Sequence, residues 1–176
     1  MWMRRRWKGL ALGAAALVAV SVFVVSDNGS SSAISRQTAP RFAAWTLDSP
    51  PQMRSLDDYE GQPILLNVWA TWCDPCREEM PSMERLHRDY APRGLRIVAV
   101  SIDDPGNEPL IREFVQQHQL TFDILHDPKS DIMAQYGVIG VPQTFLISRE
   151  RRIMATRFVA DWNSATSRAL IDSLMQ

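Results

Sequence analysis

The sequence has only two cysteines and three histidines, and this shortage limits the sites that it can build. The cysteines, Cys73 and Cys76, are separated by two residues, and no second pair exists. None of the histidines stands at the short spacing of a zinc finger, so a structural zinc ion would lack ligands. We therefore expect no metal ion, and the pair is either a structural or a redox-active disulfide.

Outside the N-terminus, acidic residues outnumber basic ones. Four of the 19 basic residues fall within residues 4–8, which leaves 15 basic residues against 20 acidic ones, or a formal charge of −5, in the rest of the chain. Such a chain has no basic patch of the kind that binds nucleic acid. Internal repeats are absent too, and 176 residues with 45% hydrophobic composition suit one globular domain with an appendage.

The appendage is an apolar segment behind the basic opening. Residues 9–25 are small or apolar apart from one serine, and this length is at the short end of what spans a bilayer. Signal-peptide cores are usually shorter, and the nearest small-x-small pattern, at 31–33, lies several polar residues further on. We predict an uncleaved anchor at 9–25, with residues 1–8 cytoplasmic and the rest exported. Residues 26–40 are predicted to be a flexible linker, and 41–176 the folded domain.

The cysteine pair follows a strand and opens a helix. Residues 64–69 are almost entirely apolar, as in a central strand covered on both faces, and the apolar spacing of 75–90 predicts a helix. The free N–H groups and positive dipole at that helix start would stabilise a thiolate on Cys73, which makes it the nucleophile. Pro75 suits the first helical turn because it lacks an N–H, and Cys76, deeper in the helix, is the resolving thiol.

The remaining pattern alternates strands and helices. Predicted strands cover 42–47 at a sheet edge, 95–102, 122–125 and a hairpin of 144–147 with 153–159; predicted helices begin at 109 and cover 130–136 and 164–175. A kink is expected near Pro81. Trp69 should lie in the core, Trp72 should form an apolar wall beside Cys73, and the histidines should be surface or half-buried. This order of elements, with a Cys-x-x-Cys pair at the end of the strand 64–69, resembles the thioredoxin arrangement, which implies an α/β fold with a central mixed sheet flanked by helices.

Three stretches carry a resemblance to one family: residues 67–81 (NVWATWCDPCREEMP), 98–103 (VAVSID) and 136–147 (YGVIGVPQTFLI). They resemble the membrane-anchored thiol–disulfide oxidoreductases of the TlpA, ResA and CcmG type, and the resemblance covers nearly all of the chain from about Phe42. It implies a thioredoxin-like domain with that family's helix-and-strand insert, preceded by one transmembrane helix. It also implies a periplasm-facing domain on a bacterial inner membrane. We expect a monomer without a bound cofactor.

The resemblance also assigns roles to single residues. It implies that Cys73 is the exposed nucleophile, that Cys76 resolves the mixed disulfide, and that Pro142 is a cis-proline facing the disulfide. Ordinary thioredoxin has a buried aspartate where this sequence has Asn67, and an amide cannot exchange a proton at neutral pH. Glu79, three residues beyond Cys76, is the position that the family pattern offers for that carboxylate.

The activity that the resemblance implies is reduction of disulfides. The protein would take electrons from a transmembrane thiol carrier and pass them to oxidised exported proteins such as apocytochrome c. Gln143 stands where some cytochrome-maturation members carry glutamate, which leaves the substrate surface open. Two other classes remain: a thioredoxin-fold peroxidase, which peroxide consumption would reveal, and a non-catalytic binding domain with a structural disulfide, which would turn over no disulfide substrate.

Overall fold

The structure is a computed structural model that describes residues 37–159 and 161–176. The predicted cytoplasmic segment 1–8, the predicted anchor 9–25 and most of the predicted linker lie outside these residues. Among the helices of the described part, none combines the length and the apolar composition needed to cross a bilayer.

Seven strands form one sheet in the described part of the chain: β1 (Ala43–Thr46), β2 (Met53–Ser55), β3 (Ile64–Trp69), β4 (Arg96–Ser101), β5 (Asp123–His126), β6 (Gln143–Ile147) and β7 (Ile153–Arg157). Their order across the sheet is β2–β1–β5–β4–β3–β6–β7. The three inner strands β3, β4 and β5 are parallel, and the other pairs are antiparallel. All six residues of β3 are buried, which is the pattern of a strand covered on both faces. The mixed sheet confirms the predicted fold class.

Four α-helices accompany the sheet in the described residues: α1 (Asp74–Tyr90), α2 (Glu108–Gln117), α3 (Asp131–Tyr136) and α4 (Ala165–Leu174). Short 3-10 turns cover Leu56–Tyr59 and Ala91–Arg93. The helix α1 buries an apolar stripe that includes Met80, Met83 and Leu86, at the spacing expected of a helix with one face on the core. It is one helix that includes Pro81, and the kink stays a prediction.

The prediction that 42–47 forms an edge strand is wrong in one respect, because β1 lies inside the sheet. It pairs with β5 on one side and with β2 on the other. The sequence gives little sign of β2, since a strand of three residues is too short to show an alternating pattern. The short β2 therefore occupies the edge.

The folded domain begins before the predicted boundary. Thr38 forms an antiparallel bridge with Arg152, Ala39 is buried, and Ile153 donates its N–H to the carbonyl of Gln37 at 2.9 Å. The last four residues of the predicted linker 26–40 are thus part of the fold. Ile153 pairs with Ile147, which pairs in turn with the first residue of β3. The chain therefore enters the sheet at the end opposite to the cysteines, which follow the last residue of β3.

Candidate active site

Cys73 and Cys76 form a disulfide, with an S–S distance of 2.05 Å and Cα atoms 5.2 Å apart. Beyond β3 the chain turns so that Cys73 becomes the N-terminal cap of α1, and its Sγ accepts a hydrogen bond from the Cys76 N–H at 3.2 Å. Pro75 lies in the first turn of the helix, as predicted. The first sulfur therefore sits at the helix start, where free N–H groups and the helix dipole favour a thiolate.

The two cysteines differ little in exposure while the disulfide is closed. Cys73 is 5% exposed and Cys76 is completely buried. The expectation that Cys73 is exposed therefore does not describe the oxidised protein, in which the Cys73 sulfur is bonded to the buried Cys76. Trp72, the residue before Cys73, is 64% exposed. It therefore borders the site as an exposed apolar surface.

A buried carboxylate holds the turn that precedes Cys73. Asp103, two residues after β4, accepts hydrogen bonds from the Thr71 N–H at 3.0 Å and from the Thr71 hydroxyl at 2.5 Å. It also accepts one from the Ser101 hydroxyl at 2.6 Å. Because β3 and β4 are parallel neighbours, their carboxyl ends meet at one edge of the sheet. Nothing in the sequence alone indicates this role of Asp103, since its partner Thr71 is 32 residues away.

Glu79 is completely buried one helical turn after Cys76. Its Oε1 accepts a hydrogen bond from Asn67 Nδ2 at 2.8 Å, whereas its Oε2 has no hydrogen-bond partner among the described residues. Burial raises the pKa of this carboxyl to about 7, although the Asn67 hydrogen bond and the nearby Trp162 side chain each lower it. The indole N–H of Trp162 is itself outside hydrogen-bond geometry. The neighbouring Glu78 is exposed, so the two glutamates have different surroundings.

Asn67 links the carboxyl of Glu79 to the next strand. Its Nδ2 donates a second hydrogen bond to Thr144 Oγ1 at 2.9 Å. Asn67 and Thr144 are partners in the antiparallel register of β3 and β6, which places both side chains on one face of the sheet. Thr144 and Trp162 join the site without any signal in the sequence, because only the strand register and the chain after β7 bring them there.

The Val141–Pro142 peptide bond is cis, in agreement with the resemblance. Gln143, the first residue of β6, pairs with Val68 near the end of β3. Pro142 therefore lies at the same end of the sheet as the disulfide. A second cis bond, Ser49–Pro50, lies in the turn between β1 and β2 and was not expected from the sequence.

The histidines do not form a metal site. His87 and His118 are half-buried, as expected, but His126 is only 2% exposed. Its Nε2 lies 2.8 Å from the Asp103 carbonyl oxygen and its Nδ1 3.3 Å from the Glu108 carboxyl. The expectation of a surface or half-buried residue is wrong for His126 because β5 lies inside the sheet. In the described ranges, no group of three or more histidine, cysteine, aspartate or glutamate side chains could hold a metal ion.

With this geometry in place, comparison with known proteins identifies the family. The family described as AhpC/TSA matches residues 35–156, about two thirds of the chain, including both cysteines, strands β1 to β6 and all but the last residue of β7. The chain belongs to the AhpC/TSA family. Its match begins two residues before the first described residue, in agreement with a folded domain that starts earlier than position 41.

Curated relatives of the chain include a thiol–disulfide oxidoreductase and a thioredoxin-like protein. The chain is 38% identical over 136 residues to the thiol–disulfide oxidoreductase ResA of Oceanobacillus iheyensis, and the match covers 74% of this chain and 70% of that one. It is 43% identical over 115 residues to the thioredoxin-like protein YneN of Bacillus subtilis, with 65% of each chain covered.

Solved structures give the same result. A putative thiol:disulfide interchange protein DsbE from Chlorobium tepidum has a TM-score of 0.69 at 29% identity, covering 81% of this chain and 98% of that chain. A DsbF homologue from Corynebacterium diphtheriae has a TM-score of 0.67 at 26% identity, covering 79% and 87%. Together with the Cys73–Cys76 disulfide, these similarities identify the protein as a thiol–disulfide oxidoreductase of thioredoxin-like fold.

Proposed function

We propose that this member of the AhpC/TSA family reduces disulfides in exported proteins, with Cys73 as nucleophile, Cys76 as resolving thiol and Glu79 as proton acceptor. One arrangement carries the proposal. The disulfide has its first sulfur at the start of α1, and a buried carboxyl lies one helical turn beyond its second cysteine.

In the first step of the proposed cycle, the reduced protein forms a mixed disulfide with its substrate. The Cys73 thiolate attacks one sulfur of the substrate disulfide, the substrate S–S bond breaks, and the other substrate sulfur leaves as a thiolate. A new S–S bond then joins Cys73 to the substrate. The helix start favours this step because it stabilises the attacking thiolate.

The second step resolves the mixed disulfide. Cys76 carries a proton that it must lose before it can attack, and the ionised carboxyl of Glu79 accepts that proton. The Cys76 thiolate attacks the Cys73 sulfur, the bond from Cys73 to the substrate breaks, and the second substrate sulfur leaves as a thiolate. The substrate has then gained two electrons, and the protein has lost two electrons in forming its own disulfide. An external dithiol must return those electrons, and a transmembrane thiol carrier is the proposed donor.

The surface around the disulfide supports a polypeptide as the substrate. Three large apolar side chains there are exposed: Trp72, Ile139 and Phe158. Trp72 adjoins Cys73, and Ile139 lies three residues before Pro142. Phe158 follows the last residue of β7, and that last residue pairs with Thr144. The exposed fractions of the three side chains are 64%, 94% and 64%. Exposed apolar groups grouped at one end of a sheet are typical of a surface that binds another protein. Apocytochrome c is the candidate substrate because the resemblance to cytochrome-maturation proteins points to it.

The proposed location is the periplasmic side of the bacterial inner membrane, with residues 9–25 as the anchor. The resemblance and the positive-inside pattern of residues 4–8 support it. The position of Gln37 is compatible with this arrangement, because the chain enters the sheet at the end opposite to the disulfide. A domain tethered at that end presents its redox site away from the attachment point.

Trapping the mixed disulfide tests the proposed roles. Cys76→Ser removes the resolving sulfur, so the reduced full-length variant should accumulate a covalent complex with an oxidised apocytochrome c peptide. The matched variant Cys73→Ser should form none. Covalent capture through Cys76 instead of Cys73 would refute the assignment. Consumption of hydrogen peroxide by the reduced protein, without turnover of the disulfide peptide, would favour a peroxidase instead.

The reduction potential tests the direction of electron flow. Asp74 is exposed in the first turn of α1, between the two cysteines, and its negative charge opposes a thiolate on Cys73. A less stabilised thiolate gives a more reducing disulfide, so we expect a potential nearer that of thioredoxin, about −270 mV, than that of a strong oxidant, about −120 mV. Equilibration with glutathione or dithiothreitol buffers measures it. A value near the second figure would contradict the role of reductant.

A further inference from the structure

We propose that Thr144 and Asn67 are positioning residues that reserve the Oε2 oxygen of Glu79 for proton exchange with Cys76. The inference rests on the proposed function, in which Glu79 is the proton acceptor. It adds which of the two carboxyl oxygens exchanges the proton and which side chains determine that choice.

The side-chain amide of Asn67 has its nitrogen side turned toward Glu79. Both of its N–H groups are used, one on Glu79 Oε1 at 2.8 Å and the other on Thr144 Oγ1 at 2.9 Å. An ionised carboxylate only accepts hydrogen bonds, so the amide nitrogen must face it. The reverse orientation would bring two acceptor oxygens together and leave a buried NH₂ group without partners, which is costly.

This contact makes the two oxygens of Glu79 inequivalent. Oε1 is occupied by a donor, whereas Oε2 has no hydrogen-bond partner among the described residues. A proton on Oε1 would compete with the Asn67 N–H, whereas a proton on Oε2 displaces no hydrogen bond formed within the described residues. The Trp162 indole lowers the Glu79 pKa, but its N–H stays outside hydrogen-bond geometry. The proton therefore arrives and leaves through Oε2. Cys76 is three residues earlier on α1 and completely buried, as Glu79 is, so both lie on the buried face of the helix.

Thr144 matters because it fixes the plane of the Asn67 amide. Its own position is set by the backbone, since it is the register partner of Asn67 in the antiparallel pair of β3 and β6. The Thr144 hydroxyl accepts the second N–H of Asn67, so rotation of the amide away from Glu79 would break two hydrogen bonds. Without that acceptor, rotation breaks one bond, and the amide holds Oε1 less firmly.

The surroundings of Glu79 make this effect measurable. Asn67 approaches from β3, Trp162 from the chain after β7, and Cys76 from the same helix, where it is held in the disulfide of the oxidised protein. No charged side chain of the described residues contributes to the shift of the Glu79 pKa, which arises from burial against the polar contacts of Asn67 and Trp162. A change in the titration of Glu79 in the oxidised protein therefore reports its polar contacts.

The test follows the Glu79 carboxyl by carbon NMR in the oxidised full-length protein, with Glu79→Gln used to identify its signal. Asn67→Ala removes the donor that favours the ionised form, so its titration midpoint should rise by about one pH unit, a roughly five-fold smaller ionised fraction at pH 7. Thr144→Val should raise the midpoint by about half as much. Thr144→Ser keeps the hydroxyl and should restore the wild-type midpoint.

Thr156→Val is the matched control, since Thr156 lies in the adjacent strand β7 opposite Phe145 and outside this network. It should leave the Glu79 midpoint unchanged. A midpoint that stays at the wild-type value in folded Thr144→Val would overturn the proposal. If that variant does not fold, the wild-type protein still decides, because one Asn67 amide proton should shift with the Glu79 titration much more than the other. Two amide protons that shift equally, or not at all, would also overturn it.

A kinetic measurement separates this inference from the proposed function. The rate at which the mixed disulfide resolves is followed against pH in wild-type, Glu79→Gln and Thr144→Val protein. If Glu79→Gln slows resolution but Thr144→Val leaves both the pH profile and the NMR midpoint unchanged, Glu79 is the acceptor and the positioning role is wrong. If the mixed disulfide of Glu79→Gln resolves at the wild-type rate, Glu79 is not the proton acceptor. The proposal that its Oε2 exchanges a proton with Cys76 is then wrong too.

Discussion

At the scale of single residues, the carboxyl of Glu79 is buried, and within the described residues it accepts one hydrogen bond, at Oε1 from Asn67. Its pKa of about 7 lies above the ordinary value of 4.5, so between these pH values the folded protein binds more protons than the unfolded chain. The contribution of Glu79 to stability therefore falls as the pH rises through this window. Above pH 7 the buried charge costs its full amount, roughly 3 kcal/mol for a shift of this size.

Glu79→Gln should remove this pH dependence. Relative to the wild type, the variant should gain up to roughly 3 kcal/mol in free energy of unfolding between pH 4.5 and pH 8, because only the wild type has to bury a charge. Urea unfolding of the oxidised proteins at the two pH values measures the difference. The exposed neighbour provides the control: Glu78→Gln should track the wild type at both pH values. A constant difference between Glu79→Gln and wild type would show that Glu79 is solvated.

The two cysteines should differ in reactivity once the disulfide is reduced. Cys73 caps the start of α1 and is 5% exposed, whereas Cys76 lies inside the helix and is completely buried. We therefore expect iodoacetamide to alkylate Cys73 at least about ten times faster than Cys76, since the thiolate is the reactive form and access limits the second thiol. Mass spectrometry of peptides after short reaction times gives both rates. Equal rates would contradict the assignment of Cys73 as nucleophile.

At the scale of elements, the packing of α1 depends on the segment that precedes α4. Ser82 in α1 is buried, and its hydroxyl accepts the backbone N–H of Trp162 at 3.0 Å while donating to the Glu79 backbone carbonyl at 2.8 Å. Asn163 Nδ2 donates to the Ser82 carbonyl at 2.8 Å. These contacts place the completely buried Trp162 side chain behind Glu79.

Ser82→Ala should destabilise the protein by about 1–3 kcal/mol, because it leaves the buried backbone N–H of Trp162 without its acceptor. It should also loosen the segment, which hydrogen exchange at Trp162 and Asn163 would detect. Ser173→Ala is a suitable control, since Ser173 is exposed on α4. Equal stability of the two variants would mean that water replaces the Ser82 hydroxyl at little cost.

At the scale of the whole molecule, the boundary of the folded domain is the testable feature. The Gln37 carbonyl accepts the N–H of Ile153, the first residue of β7, and Ala39 donates its N–H to the Arg151 carbonyl in the turn before it. The Tyr136 hydroxyl donates to the Pro40 carbonyl at 2.7 Å. The bonds of Gln37 and Ala39 attach this segment to the end of the sheet opposite to the disulfide. The fragment 37–176 therefore keeps these hydrogen bonds.

We predict that the fragment 37–176, without the predicted anchor, folds and undergoes cooperative unfolding. The shorter fragment 41–176, cut at the boundary predicted from the sequence, should be less stable by about 1–3 kcal/mol, because it loses these hydrogen bonds and the burial of Ala39. Thermal and urea unfolding of both oxidised fragments compare them. A fragment 37–176 that stays unfolded would show that the domain needs residues outside the described part.

Sequence alone determined the chemistry of this protein and most of its elements. The nearly continuous apolar run 64–69 predicts the buried strand β3, because a strand covered on both faces is apolar at almost every position. The helix start at Cys73, Pro75 and Cys76 could also be predicted, since cap and first-turn positions depend on neighbours in the chain. The resemblance supplied the cis bond of Pro142 and the choice of Glu79 over Glu78, which composition and periodicity could not distinguish.

Tertiary structure decided everything that depends on strand order and register. Whether β1 is an edge strand, whether His126 is buried and which residue holds the Thr71 turn are set by neighbours far away in the sequence. The same holds for the contact of Asn67 with Thr144, 77 residues apart, because register places their side chains on one face. The two oxygens of Glu79 differ for that reason: a carboxyl can be predicted from local sequence, but the donor that occupies one oxygen belongs to the packed sheet.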